Sequence, residues 1–238
     1  EPRGSWKSYN QFFARHAKPG CRPVAAVEDS RIITSPADAT FDGSWEVRGD
    51  DTIEIKGIHW KISELLEGSP YKDRFAGGKW MHSFLGPADY HRQHAPVGGR
   101  VLESRDIMGD VYLEVTAVPD PATGRNRLAT KRVNTFDAPD TPGYEFMQNR
   151  GLVVIDSPIG LVAVLPMGMG QVSSVVMTAE TGRVLRKGEE ISYFQFGGSD
   201  IVMVFEAACN VDFTARPGVH YKYGTKIAEA YPVIYPAR

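Results

Sequence analysis

Residues 157–179 (SPIGLVAVLPMGMGQVSSVVMTA) carry no charged side chain, and no other stretch constrains the chain as tightly. A helix of about 20 apolar residues is long enough to cross a bilayer. Here only 13 of 23 residues are apolar, and Pro158, Gly160, Pro166, Gly168 and Gly170 interrupt them. Proline inside a helix removes a hydrogen bond and collides with the preceding turn, and glycine adds backbone entropy. The pattern therefore predicts two buried strands around a glycine-rich bend, with no membrane helix.

The rest of the chain is punctuated in the same way. Gly (24) and Pro (16) are abundant among 238 residues, which favours turns and short strands over a helical bundle. Residues 111–118 alternate, with Val111, Leu113, Val115 and Ala117 on one face. Residues 53–58, 152–155, 161–165, 172–177 and 201–205 read as further strands. Tyr9, Phe12 and Phe13 sit at helical spacing before a stop at Pro19-Gly20, and residues 63–67 read as a second short helix. Residues 120–144 are polar and aperiodic, predicting a long surface excursion. The expectation is one β-rich α+β domain over residues 1–238, with a few short helices.

Charge and cysteine content narrow the function classes. With 27 Lys+Arg against 29 Asp+Glu, the formal charge of -2 gives no general attraction for nucleic acid or anionic membrane. At 42% apolar and 24% charged, the composition is that of a soluble globular protein. Two cysteines, Cys21 and Cys209, are too few for a disulfide framework or a zinc site; they suit a reducing compartment and read as small buried apolar residues. The chain begins Glu-Pro-Arg without Met, which reads as a trimmed or processed start.

Three local constellations carry chemistry. In DYHRQH (residues 89–94), His91 and His94 lie three apart; on a helix they would share a face, but Pro96 would end it. No HExxH pattern supports a metal. Two neighbouring histidines are commonly satisfied structural groups, yet imidazole is the side chain best suited to proton transfer near neutrality. In FQFGGSD (residues 194–200), two glycines before a serine let the backbone bend and leave a carbonyl approachable, although a tight turn explains them equally well. Ser35-Pro-Ala-Asp38 ends a turn-like tetrapeptide in a carboxylate, which by itself is a common turn former. Residue types alone decide nothing among these readings.

FLGPADYHRQHAP (residues 84–96) resembles the phosphatidylserine decarboxylase family. So do YNQFFARHAKPGCRP (9–23), SPAD (35–38, with Ala39 in place of the usual Gly), IKGIHWKISELL (55–66) and KGEEISYFQFGGS (187–199), in the same order. The resemblance implies a phosphatidylserine-decarboxylase-like core of β-sheets resembling a barrel-sandwich hybrid. It also implies a self-made cofactor. Ser199 would attack the Gly198 carbonyl, and elimination and hydrolysis would leave a pyruvoyl group derived from Ser199. The chain would then be split into a β-chain of residues 1–198 and an α-chain of residues 199–238. By the same resemblance His94 is the base, Asp38 orients it, and His91 assists decarboxylation; no metal and no PLP are implied. An amino-acid substrate would bind through a Schiff base and lose its α-carboxyl. One departure is local: Asp200 follows the serine, where the family usually has Thr or Ser.

For the substrate, MGMGQVSS (167–174) and FGGS resemble the soluble members, fungal tryptophan decarboxylases among them, more than the lipid-acting ones. A free, aromatic amino acid is thus expected, with phosphatidylserine as the alternative. The expected setting is cytoplasmic and soluble, without nucleic-acid partners and compatible with a homodimer of processed protomers. Two rivals stand beside this reading. The glycine-punctuated segments PVGGRV and VLRKGE also resemble biotinyl or lipoyl carrier barrels, although no Met-Lys-Met occurs. The second rival is an unprocessed, non-catalytic relative.

Overall fold

The computed structural model describes residues 6–55, 58–109, 115–130, 146, 148–168, 174–195 and 200–233. The chain starts with helix α1 (Tyr9–Phe13), capped by the Ser8 hydroxyl, which accepts from the Gln11 N–H at 3.1 Å. Strands β1 (Ile32–Thr34), β2 (Ala39–Glu46), β3 (Thr52–Ile55) and β4 (Ile58–Lys61) lead into helix α2 (Ile62–Leu65). Next come β5 (Lys79–Phe84), β6 (Arg92–His94), β7 (Gly99–Ile107), β8 (Val115–Pro119) and β9 (Asn126–Thr130). The central hairpin is β10 (Arg150–Ser157) and β11 (Gly160–Met167), followed by β12 (Val175–Met177), β13 (Val184–Leu185) and β14 (Glu190–Phe194). The chain continues with β15 (Asp200–Phe205), β16 (Val211–Phe213), β17 (Val219–Tyr221) and β18 (Lys226–Ala230).

An eight-stranded antiparallel sheet in the order β13-β7-β10-β11-β15-β5-β2-β17 forms the centre. Its two ends are open, so this sheet is not a closed barrel. Side chains alternate between its faces. Val153, Ile155, Val162, Val164, Ile201 and Met203 join one apolar cluster, and Leu152, Val154, Ala163, Leu165, Val202 and Val204 join the other. Burial on both faces is why these strands read as continuous apolar runs and not as alternating ones. The small sheets β12-β14-β6 and β1-β18-β16 supply the first cluster's other wall. The β3–β4 hairpin, α2, and the 3-10 turn Lys72–Phe75 supply that of the second. Buried Arg150 ties α2 to this layer by donating to the carbonyls of Leu65 (2.7 Å) and Glu64 (3.0 Å) at the helix end.

Several sequence expectations shift here. The uncharged stretch does give strands, β11 and β12; of the bend between them, residues 169–173 lie outside the described residues. The run at 53–58 ends at Ile55, and Ile58 begins the return strand of a hairpin. Residues 126–130, placed in an aperiodic excursion, instead pair with β8, because the turn at Asp120–Gly124 reverses the chain. Of the alternating run at 111–118, residues 111–114 lie outside the described ones. Helix α1 ends at Phe13, before Pro19-Gly20 is reached. Cys209 is buried, but Cys21 is exposed and so is not a core residue. Among the described residues, no helix is long and apolar enough to cross a membrane.

Gly78 tests the close packing of β5 on β15. A Cβ there would meet the Phe205 carbonyl oxygen at 1.9 Å, and that oxygen belongs to backbone that cannot rotate away. Gly78→Ala is expected to cost about 1–3 kcal/mol of stability, the range for overpacking, and chemical denaturation measures it. An unchanged midpoint would mean that this edge is loose.

Candidate functional site

The site is built on β6, the edge of the β12-β14-β6 sheet, so the two histidines sit on and beside a strand and share no helical face. Backbone bonds fix the strand on both sides. His94 N donates to the Pro36 carbonyl at 2.7 Å, bringing the 35–38 turn against it, and Phe194 N donates to the His91 carbonyl at 2.9 Å. KGEE, SPAD and DYHRQH, far apart in sequence, therefore meet along one short strand.

His94 is held at both ring nitrogens. Its Nδ1 donates to the Gly188 carbonyl at 2.8 Å, and because a carbonyl only accepts, that nitrogen carries the proton. Nε2 then accepts from the Tyr90 hydroxyl at 3.1 Å. The ring stacks on Tyr223 at 3.7 Å between centroids and 5° between planes. Burial pushes the His94 imidazole below its ordinary value, so it is neutral at pH 7 with its basic nitrogen toward Tyr90. Burial also raises the Tyr90 phenol, which stays a donor. Gly188 supplies its carbonyl from a φ of +86°, a conformation that favours glycine, and a Cβ there would meet Val24 at 2.5 Å.

Asp38 lies one contact away from His94. Arg22 grips its carboxylate through Nε (3.0 Å) and Nη2, and the Tyr223 backbone N–H donates to Oδ1 at 3.0 Å. Residue 223 thus touches both groups, its amide on Asp38 and its ring on His94. The Asp38 charge favours protonation of both His94 and His91, though burial outweighs it in each.

His91 is fully buried. Its Nδ1 donates to the Asp89 carbonyl at 2.9 Å, and its ring stacks on Phe13 at 3.6 Å. Phe194 approaches edge-on at 6.3 Å. Helix α1 is held over this ring by Arg92, whose guanidinium donates to the Ala14 carbonyl (2.8 Å) and to Glu190 (2.8 Å). Desolvation lowers the His91 pKa to about 3.

Asp38, His91 and His94 thus come together around β6. Gly198 and Ser199 lie outside the described residues, as do Phe196 and Gly197. Their flanks are described. Phe194 closes β14 against His91, and Asp200 opens β15, paired with Met167 and Phe84 in the central sheet. Arg22, Tyr90, Gly188 and Tyr223 were not singled out as site residues from sequence. All but Tyr223 lie inside the quoted motifs, and Tyr223 carries no local signal.

The family model described as phosphatidylserine decarboxylase matches residues 9–229. "Phosphatidylserine decarboxylase proenzyme 3" of Schizosaccharomyces pombe is 34% identical over 206 residues, covering 86% of this chain and 19% of that protein. "Decarboxylase iboD" of Amanita muscaria is 31% identical over 95% of this chain and 66% of its own length. "Phosphatidylserine decarboxylase proenzyme" of Anaeromyxobacter sp. is 27% identical over 94% and 79%. The chain therefore spans about a fifth of the fission-yeast relative and about two thirds of the Amanita one.

His91 gives a pH test of this geometry. Unfolded, its imidazole takes up a proton below about pH 6.5, whereas folded it stays neutral down to about 3. Between those values the unfolded chain binds more protons, so this contribution is complete above pH 6.5 and is lost as pH falls toward 3. His94 acts in the same direction. Urea unfolding at a series of pH values should show a shallower acid loss for His91→Gln than for the parent, by up to about 1.4 kcal/mol per pH unit. Parallel curves would mean that the ring is solvated.

Proposed function

Because this chain belongs to the phosphatidylserine decarboxylase family, we propose that it is a self-processing, pyruvoyl-dependent decarboxylase acting on the α-carboxyl of an amino-acid group. The observation that carries the reading is the His94 environment: a neutral imidazole, fixed at Nδ1 by Gly188 and stacked on Tyr223, with its basic nitrogen turned to a hydroxyl.

In the proposed self-cleavage, the Ser199 hydroxyl adds to the Gly198 carbonyl while His94 takes its proton, and the acyl group passes from nitrogen to oxygen. Return of the proton to the departing nitrogen completes the ester and frees the amine of residue 199. Loss of the Cα proton and of the Gly198 carboxylate leaves dehydroalanine, and water converts it to a ketone with release of ammonia. Asp38, clamped by Arg22, acts on His94 through the Tyr223 backbone and through its negative charge, which stabilises the imidazolium formed in the first step.

Once made, the pyruvoyl group supplies a carbonyl that accepts electron density from the carbon losing CO2. The chain around it supplies orientation and a dry wall. Phe13 and Phe194 border His91, and α1 covers that ring. His91 is the group we assign to assist decarboxylation, its neutral ring bordering the carbon that loses CO2, and its place beside Phe194 is what supports the role.

For the substrate we favour a free aromatic amino acid, because apolar rings line the His91 side and because a relative whose name mentions no phospholipid, "Decarboxylase iboD", aligns over 95% of this chain. Phosphatidylserine is the second reading, favoured by the printed names of the other relatives. Both substrates present the same amine and carboxylate.

Ser199→Ala should remain one piece on a denaturing gel and release no CO2, while the parent yields pieces of 198 and 40 residues, the smaller reactive toward hydrazines. Decarboxylation by the alanine variant at the parent rate would refute the pyruvoyl assignment. Offered tryptophan, tyrosine, phenylalanine and phosphatidylserine vesicles in parallel, cleaved protein should release CO2 fastest from an aromatic amino acid. Turnover confined to the vesicles would select the lipid reading.

A further inference from the structure

The basic nitrogen of His94 is already occupied. An imidazole nitrogen has one lone pair, in the ring plane, and at Nε2 the Tyr90 hydroxyl donates to it at 3.1 Å. Nδ1 is engaged with the Gly188 carbonyl, and the Tyr223 ring covers one face at 3.7 Å between centroids. A proton bound for Nε2 therefore either passes through Tyr90 or requires Tyr90 to leave.

Tyr90 is poorly placed to leave. It is 4% exposed, and its ring stacks on Tyr223 at 5.4 Å between centroids and 24° between planes. Its oxygen faces the backbone N–H of Ala17. Tyr223 thus lies against both rings, and its own amide is bonded to Asp38. Swinging the phenol outward would break these contacts, strip Nε2 of its donor and open a void in a packed interior. Staying in place carries no such cost, because a phenol oxygen donates one proton while accepting through its lone pairs.

We infer that the Tyr90 hydroxyl is a proton relay in self-cleavage, standing between the attacking serine hydroxyl and Nε2 of His94. The inference rests on the Ser199 reading above. As the Ser199 oxygen bonds to the Gly198 carbonyl carbon, its proton passes to the Tyr90 oxygen and the Tyr90 proton passes to Nε2. The carbonyl π electrons move onto their oxygen, the imidazole becomes imidazolium, and Tyr90 ends neutral with its proton exchanged. When the C–N bond breaks, the same two transfers run backwards and protonate the departing nitrogen of residue 199. The phenol gains one proton as it gives up another, so it never has to carry a charge. Burial, which raises its pKa, keeps it protonated and ready to donate. The stack on Tyr223 keeps the O–H aimed at Nε2.

The test follows self-cleavage of the freshly made full chain by intact mass, beside circular dichroism to establish folding. Tyr90→Phe keeps the ring and removes only the hydroxyl. It should cleave about 100-fold more slowly, within the range of general acid–base catalysis. Hydroxylamine cuts an ester and spares a peptide, so it reads the first step alone; it should release the 198-residue piece from Tyr90→Phe more slowly by the same factor. Ester formed at the parent rate overturns the inference, as does cleavage at or above the parent rate, the result expected of a plug. Nitrogen NMR of His94 in Ser199→Ala, with and without Tyr90→Phe, should show the proton on Nδ1 in both. Its migration to Nε2 when the hydroxyl is lost would make Tyr90 a positioning group and overturn the relay. If Tyr90→Phe does not fold, the parent decides in mixtures of H2O and D2O. Under saturating hydroxylamine, ester formation should fall with deuterium content along a curve, the mark of two protons in motion; a straight or flat line overturns the relay. Each of these failures leaves the Ser199 reading standing. A parent that stays whole overturns both.

Discussion

The middle of the central sheet, from β10 through β11 and β15 to β5, is buried on both faces along most of its length, and the rest of the molecule follows from that. A polar side chain placed on that buried stretch must find a partner inside the protein, because neither face offers water there. The strands answer with runs of Val, Ile, Leu and Met along β10, β11 and β15. Among the described residues, buried polar side chains break this pattern at Arg150, His82, Ser83 and Asp200. His82 and Asp200 sit side by side on β5 and β15, and Asp42 is brought to them by a bulge.

On the other face, the histidine cluster relies on backbone more than on charge. Nδ1 of His94 and Nδ1 of His91 both donate to carbonyls, of Gly188 and Asp89. A carbonyl fixes the tautomer without the desolvation cost of a buried carboxylate, and it leaves each ring neutral. The Asp38 charge is offset by Arg22 and reaches His94 through Tyr223. Motifs hundreds of ångströms apart in an extended chain meet because β6 pairs with β14 while the 35–38 turn caps its other edge.

The fold was legible in sequence where burial is two-sided. The runs at 152–155, 161–165 and 201–205 are strands, as their unbroken apolar character suggests, and α1 follows from the spacing of Tyr9, Phe12 and Phe13. Strands with polar faces were not legible. β7 reads GRVLESRDI, and β5 contains Lys79, His82 and Ser83, so neither shows a clean period. Short strands such as β1 and β16 to β18 are defined by pairing partners far along the chain, which no local window contains. At the site, Asp38, His91 and His94 could be marked because they sit in dense motifs. Tyr223 could not, since its role comes from a turn that carries its amide and its ring to two different groups. Asp200 stood out only as an oddity beside a serine, and its burial near His82 across the β5–β15 pair is set by strand pairing that no spacing rule connects to it.

The position of β15 has a further consequence for a chain cut just before it. This strand lies between β11 and β5, in the interior of the sheet, and the segments after it add β16, β17 and β18 to both the central and a peripheral sheet. The shorter piece that such a cut would make is therefore a structural keystone, and no tethered tail. A nick at its first residue would leave a two-chain protein that cannot shed either half without dismantling its own interior. Assembly then has a direction: folding must come before scission, because afterwards two separate molecules would have to rebuild by collision what one chain achieved by threading.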